Sequence, residues 1–233
     1  MKIPKVTALI FMKYHSERVP KKNVRNFNGK PLFHWILSTL EKSKYVKEVI
    51  INTDSEEIAS DAKKHFDVTI HMRPDYLLTI TSNEANQILE YDLSNSDGEY
   101  FLQTHSTNPI LTPETVDKAI EAFFNTKEND SLMSVTPLQK RFYWPNGDPI
   151  NHDPQGMIKT QNLEPIYEEN SCIYMFSKTN FFKRKSRIGS NPLYFEMDPI
   201  EAIDIDEESD FIIAESVQKY LSETMGKTTQ KSD

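Results

Sequence analysis

Val6-Thr7-Ala8-Leu9-Ile10-Phe11-Met12 is an apolar run that stops abruptly at Lys13-Tyr14-His15-Ser16-Glu17-Arg18-Val19-Pro20-Lys21-Lys22-Asn23-Val24-Arg25. Such a run reads as a strand buried on both faces. Working outward, Pro31 to Ser43 sets Leu32, Trp35, Ile36 and Leu40 on one helical face, and Val46 to Asn52 returns to strand character. Asp54-Ser55-Glu56-Glu57 supplies a capping residue and an acidic first turn for a helix reaching about His65. Val68 to His71 predicts a third strand, Ser82 to Leu93 a helix, and Tyr100 to Gln103 a fourth strand. Pro113 to Phe124 predicts a helix opened by proline, and Ser131 to Thr136 a fifth strand. This alternation predicts the α/β class, with a parallel sheet covered by helices on both faces. Right-handed βαβ units then put a ligand site beyond the carboxyl ends of the strands, in the loops after Met12, Asn52, His71 and Gln103.

From Pro137 to Glu169 the pattern changes, with five prolines, two glycines and the cluster Phe142-Tyr143-Trp144. An inserted lid or interface subdomain over residues 137–170 is expected within a single domain spanning 1–221. Cys172 to Phe176 resumes as a strand, Phe211 to Leu221 closes as an amphipathic helix, and residues 222–233 are expected to fray.

The chain has 233 residues, enough to bury a sizeable core. Its 37% hydrophobic content exceeds that of a disordered chain, while no apolar run approaches the roughly 18 residues of a membrane span. Val6 to Met12 is followed by Lys13, Glu17 and Arg18 rather than a small-residue cleavage site, so no secretory signal is expected. The single Cys172 excludes an internal disulfide and a multi-cysteine metal cluster, and points to a reducing, cytoplasmic setting. The net charge of −8 argues against a nucleic-acid partner. A local cationic cluster can still bind a small anion within an acidic protein.

Two constellations carry chemistry. Residues 13–25 place five Lys and Arg side chains directly after a buried strand, where α/β folds bind phosphate; the alternative is a solvated loop. Neither G-x-x-x-x-G-K-[ST] nor G-x-G-x-x-G is present, which disfavours kinase and dehydrogenase readings. The second is Asp204-Ile205-Asp206 with Asp210: carboxylates at i and i+2 of an extended segment share a side and suit a hard cation such as Mg²⁺, or else cap a helix. Thr53, Asp54, Arg73 and Gln103 fall at strand ends, and Asp54 reads best as a turn or cap residue. His105 reads best as a hydrogen-bonded loop histidine and Cys172 as core. No G-x-S-x-G elbow supports hydrolase chemistry.

In order and spacing, these segments resemble the acylneuraminate cytidylyltransferase family, the CMP-sialic acid synthetases, which are related to CMP-Kdo synthetases. Members carry A-R-x-G-S-x-x-x-P-x-K-N, G-K-P-L, S-T-D-S-E-E-I, R-P, L-Q-P-T-S-P, E-N-G-x-x-Y and D-I-D-x-x-x-D-F. The matching residues here begin with Ser16, Pro20, Lys22, Asn23, Gly29-Lys30-Pro31-Leu32 and Asn52-Thr53-Asp54-Ser55-Glu56-Glu57-Ile58. They continue with Arg73-Pro74, Leu102-Gln103, Glu169-Asn170, Tyr174 and Asp204-Ile205-Asp206 through Asp210-Phe211. The resemblance runs from about Val6 to Ala214. It implies a Rossmann-like, glycosyltransferase-A-type nucleotidyltransferase fold and in-line attack by an acceptor hydroxyl on the α-phosphate of CTP, with Mg²⁺ as electrostatic partner.

By the same resemblance, Lys13, Lys22, Asp204 and Asp206 are the catalytic residues, the two aspartates holding Mg²⁺. Met12, Lys13, Ser16, Lys22, Asn23, Arg73, Thr81 and Ser82 would bind the nucleotide, and Gln103, Lys140, Gln161 and Tyr174 the sugar-acid acceptor. A homodimer packed across the proline-rich insert is also implied. The chain departs from the family with Lys13 for Arg, His15 for Gly, Leu102-Gln103-Thr104-His105-Ser106-Thr107-Asn108-Pro109 for L-Q-P-T-S-P, and Ser171 for the glycine of E-N-G. The last two lie on the acceptor side, so the acceptor is expected to differ from the common sialic acid, being another nonulosonic or sugar acid, or a phosphorylated metabolite. The alternatives are a same-fold enzyme acting on Kdo or a phosphorylated metabolite, and a catalytically silent nucleotide-binding protein.

Overall fold

The computed structural model describes residues 3–79 and 85–228, and for 225–228 the backbone alone. In chain order its elements are β1 (Val6–Met12), β2 (Asn26–Phe27), β3 (Lys30–Pro31), α1 (Leu32–Lys42), β4 (Val46–Thr53) and α2 (Glu56–His65). Then come β5 (Thr69–Met72), α3 (Asn86–Ser94), β6 (Tyr100–Thr104), α4 (Pro113–Asn125) and β7 (Ser131–Leu138). The last are β8 (Ile166–Ser177), α5 (Lys178–Arg184), β9 (Pro192–Glu196) and α6 (Glu208–Thr228).

A seven-stranded sheet runs in the order β5-β4-β1-β6-β8-β7-β9. β1 pairs in parallel with β4 and β6, and β4 with β5. The departure from a uniformly parallel sheet is β8, antiparallel to both β6 and β7. Strand alternation divides the core. Ala8, Ile10, Val49, Ile51 and Leu102 face α1, α2 and α4, whereas Leu9, Ile50, Phe101, Tyr174 and Phe176 face Leu89 and Leu93 of α3 and Phe181 of α5. Helices thus cover both faces, as the alternation in the sequence required.

Local chemistry sets the boundaries. Ser55 caps α2 by accepting from the Ile58 amide, and Thr112 caps α4 with Pro113 in its first turn. The connection expected as plain loop over residues 13–30 contains a 3-10 turn at Lys22–Val24 and the β2–β3 hairpin. That hairpin turns on Asn28 (φ 48°) and Gly29 (φ 92°), an Asn-Gly pair matching the twist of the flanking strands. α6 continues to Thr228, so the polar segment expected to fray from Ser222 begins as helix. Its Phe211 and Ala214 pack with Phe27, Leu32 and Val19, closing a third apolar cluster over the hairpin. Among the described residues no helix is long and apolar enough to cross a membrane.

β7 extends through Leu138 and β8 begins at Ile166, so the excursion from the sheet is residues 139–165, narrower than expected. It is pinned by a Tyr143–Pro149 bridge and by Ile150 N donating to Phe142 O at 2.9 Å. Tyr143, Trp144 and Met157 on it are exposed.

Candidate active site

The carboxyl ends of β1, β4, β5 and β6 share one edge, and the loop after β1 folds back over it. The Asn23 amide holds that loop from inside, donating to Lys13 O at 2.7 Å and accepting from the Ser106 hydroxyl at 2.6 Å. Asp54, read from sequence as a turn or cap residue, instead accepts from the Tyr14 amide at 2.8 Å and ties the loop to the end of β4. Ser16 Oγ accepts from Val19 N at 3.4 Å. Lys13, His15, Ser16, Lys22 and Asn23 then line a cavity of about 210 Å³, with Phe11 and His105–Thr107 opposite. Four of the sequence-selected nucleotide residues therefore meet. Met12, a fifth, is at the loop's root with its side chain in the core.

The Asp204–Asp206 segment borders this basin. Ile205 is fully buried, its amide donates to Thr107 O at 3.0 Å, and its carbonyl accepts from Lys22 Nζ at 2.5 Å. The carboxylates lie on either side: Asp206 is 2.6 Å from Arg18 and 4.0 Å from Lys22, while Asp204 accepts from Asn108 Nδ2 at 3.4 Å. Burial, reinforced by the charge on Asp206, raises the pKa of Asp204 against the hydrogen bond from Thr107. Burial likewise lowers that of Lys22 against the pull of Asp204 and Asp206. Among the described residues the buried Oδ1 of Asn108 has no hydrogen-bond partner. A carboxylate such as Asp204, whose ionised state is disfavoured by burial and by the charge of Asp206 beside it, suits a hard divalent cation, which would relieve both.

A second cavity, about 430 Å³, shares Phe11 and His105 with the first and adds Ala85, Asn86, Leu89, Gln103, Ser186, Arg187 and Ile188. Gln103, closing β6, is buried, and its Oε1 accepts from Arg187 Nη1 at 2.9 Å. Tyr174 is wholly buried beneath the Arg187 guanidinium, which lies 3.5 Å from its ring centroid. The Tyr174 hydroxyl donates to Glu169 and lies 3.0 Å from Ser171 Oγ, so it sits under the pocket rather than in it. Ser171, where the resembled motif carries glycine, has φ 59°, the left-handed region glycine prefers. His105, between the cavities, is kept neutral: burial first, then Arg187 and Lys22, push its pKa down to about 4.

Other sequence-selected residues lie elsewhere. Arg73 is buried, donating to Asn52 Oδ1 at 2.7 Å and lining neither cavity. Lys140 and Gln161 are exposed on the 139–165 excursion. Thr81 and Ser82 fall outside the described residues. Conversely, Phe11, Arg18, His105 and Arg187 line or border the cavities without having been selected. Arg187 follows the basic run Lys183-Arg184-Lys185, but nothing in that run marks which cation turns inward.

The model of the cytidylyltransferase family matches residues 7–224. The chain belongs to that family. It is 28% identical over 219 residues to N-acylneuraminate cytidylyltransferase A of Danio rerio, covering 90% of this chain but 50% of the fish protein. It is 27% identical to CMP-N,N'-diacetyllegionaminic acid synthase of Legionella pneumophila, covering 95% of this chain and 99% of that one. In three dimensions it is similar to a CMP:2-keto-3-deoxy-manno-octonic acid synthetase complexed with CTP, with a TM-score of 0.65 at 13% identity over 93% of this chain and 99% of that chain. That likeness fixes the nucleotidyltransferase fold for this member of the cytidylyltransferase family.

Proposed function

We propose that this cytidylyltransferase transfers CMP from CTP to the hydroxyl of a sialic-acid-like, nonulosonic sugar acid, for surface polysaccharide biosynthesis. The observation that carries the reading is the meeting of a cationic loop and a carboxylate pair at one strand edge, where Lys22 Nζ bonds the carbonyl between Asp204 and Asp206. The relatives named as sialic and legionaminic acid cytidylyltransferases supply the substrate class. In the reaction the acceptor oxygen bonds to the α-phosphorus, the α–β bridging P–O bond breaks, pyrophosphate leaves with that electron pair, and the hydroxyl proton passes to solvent. Lys13 and Lys22 stabilise charge on the phosphates, the electrostatic work such transfers need most. Asp204 and Asp206 would hold Mg²⁺, which when bound supplies further neutralisation of the triphosphate. Gln103 and Tyr174 would shape the acceptor side.

Two further parts belong to the proposal. The exposed Tyr143, Trp144 and Met157 on the excursion would be covered in a homodimer. A cytoplasmic location is the second, supported by the single, buried Cys172 and by the need for CTP.

The test is pyrophosphate release from CTP, UTP, ATP and GTP with Mg²⁺, each against N-acetylneuraminate, other nonulosonic acids, Kdo and phosphorylated small metabolites. Release with CTP and a nonulosonic acid other than N-acetylneuraminate as best acceptor is expected. Turnover confined to Kdo or to a phosphorylated acceptor overturns the substrate class. Asp206→Asn should abolish turnover with unchanged folding, which a silent binding protein would not show.

A further inference from the structure

The arginines near the active edge differ in what answers their charge. Arg18 meets Asp206 at 2.6 Å, Arg25 meets Glu208 at 2.7 Å and, further off, Arg184 meets Asp130 at 3.6 Å. Arg187 lies within 4.0 Å of no carboxylate among the described residues. The acid that acts on it across space is Glu169, whose carboxylate already accepts from the Tyr174 hydroxyl. Burial opposes its charge, yet a guanidinium stays protonated in proteins, so a desolvated cation sits in the cavity wall. It is also fixed in place. Its plane rests on the buried Tyr174 ring and one N–H is taken by Gln103, leaving other N–H donors of the fork for a ligand. Around it, Phe11, Leu89 and Ile188 offer apolar surface and Asn86 and Ser186 polar groups, the mixture that a polyhydroxylated ring with an acyl substituent requires.

We propose that Arg187 is the receptor for the acceptor's carboxylate, held in register by Gln103 and Tyr174, and that the 430 Å³ cavity it lines is the acceptor pocket. This rests on the functional reading above and deepens it. In the ring form of a 2-keto sugar acid the anomeric hydroxyl is on the carbon that carries the carboxylate. Fixing the carboxylate on Arg187 therefore fixes the nucleophile, and the wall shared through Phe11 and His105 sets that nucleophile beside the phosphate basin. Arginine matches a carboxylate through two parallel N–H bonds, which lysine cannot supply.

The experiment is steady-state kinetics on the full chain, with the best acid found in the panel and with glycerol 3-phosphate as the phosphate-bearing comparison. Arg187→Met should raise the acceptor KM by about 100-fold and leave the CTP KM within about threefold, and Arg187→Lys should fall between. Wild type should discriminate against the carboxamide analogue of the acceptor, and Arg187→Met should not. Gln103→Glu, nearly isosteric, hands Arg187 an internal carboxylate and should weaken acceptor binding by a similar factor without lowering the melting temperature, which keeps the test decisive if Arg187→Met fails to fold. Wild-type activity with an acceptor KM indifferent to both substitutions overturns the assignment of Arg187 alone. Preference for glycerol 3-phosphate through Arg187 overturns the carboxylate assignment, and a wild type inactive with every acid sinks the functional reading together with it.

Discussion

The two cavities at the strand edge are neighbours with opposite electrostatics. In the basin under residues 13–25 two of the cations are already answered: Arg18 by Asp206 and Glu207, Lys22 by the Ile205 carbonyl with Asp206 behind it. In the pocket beside Gln103, Arg187 is answered, among the described residues, by an amide and an aromatic face. Charges that pair with one another hold a loop in shape and let an incoming polyanion and its counter-cation exchange partners without stranding a buried ion. A cation left without an anion instead selects its ligand, because that ligand brings the missing charge.

The largest break in this contrast is expected from Lys22→Met. It deletes the buried cation on which both carboxylates act, and kcat/KM for CTP should fall by about 10²–10³-fold, the usual loss for one group stabilising charge in the transition state. A fall under tenfold would show that Lys22 only shapes the loop. Asp204→Asn sharpens the same side: turnover should drop comparably, while stability is kept or slightly raised, because burial already disfavours the ionised form. Urea unfolding of the variant checks this, and a marked loss of stability would contradict it.

His105 tests the boundary between the cavities. Its imidazole titrates at about 4 in the folded chain against 6.5 when unfolded, so between those values the unfolded state binds more protons. Stability therefore declines as pH falls through that window and is indifferent to His105 above it. Replacing it in His105→Gln should flatten the acid limb of the stability profile by on the order of 2 kcal/mol. An unchanged limb would mean that the ring is not held neutral. The smallest effect is expected from Ser171→Gly, which releases a left-handed strain of about 1 kcal/mol and returns much of it as unfolded-state entropy. The melting temperature should hardly move, with less than about a threefold shift in acceptor KM as the Tyr174 hydroxyl loses Ser171 Oγ. A larger shift would place Ser171 in the pocket itself.

The parallel half of the sheet was legible in the sequence because its central strands β1, β4 and β6 are largely buried on both faces. Val6–Met12 and Val46–Thr53 consequently stand out as apolar runs, and the helix after the second carries a clear serine cap. The other half was harder. The first five residues of β8, Ile166–Asn170, are largely exposed and polar, and β9 opens on Pro192, so neither advertises a strand. The cationic loop at the strand edge was readable from its composition, since five Lys and Arg side chains follow directly on a buried strand. What escaped was the inward turn of single residues. Arg187 is chemically indistinguishable in sequence from Arg184, and only the packing of α5 against β8 decides which one meets Tyr174 and which meets Asp130. Asp54 escaped for a similar reason, because its partner is the amide of Tyr14, 40 residues away.

The clasp of α6 on the β2–β3 hairpin has a consequence for the order of events during synthesis. Asn28 donates through its side chain to Glu215 O and Gln218 Oε1, each at 2.7 Å, Arg25 is bonded to Glu208, and Lys22 waits for the carbonyl of Ile205. At the roughly 5–20 residues per second of ribosomal elongation, the first strand emerges many seconds before these partners exist. The nascent chain can lay down its central strands while residues 13–30 still lack the anchors that α6 and the Asp204–Asp206 segment supply. A chain that stops short of α6 would therefore keep the residues of its central strands while leaving Lys22, Arg25 and Asn28 without these partners.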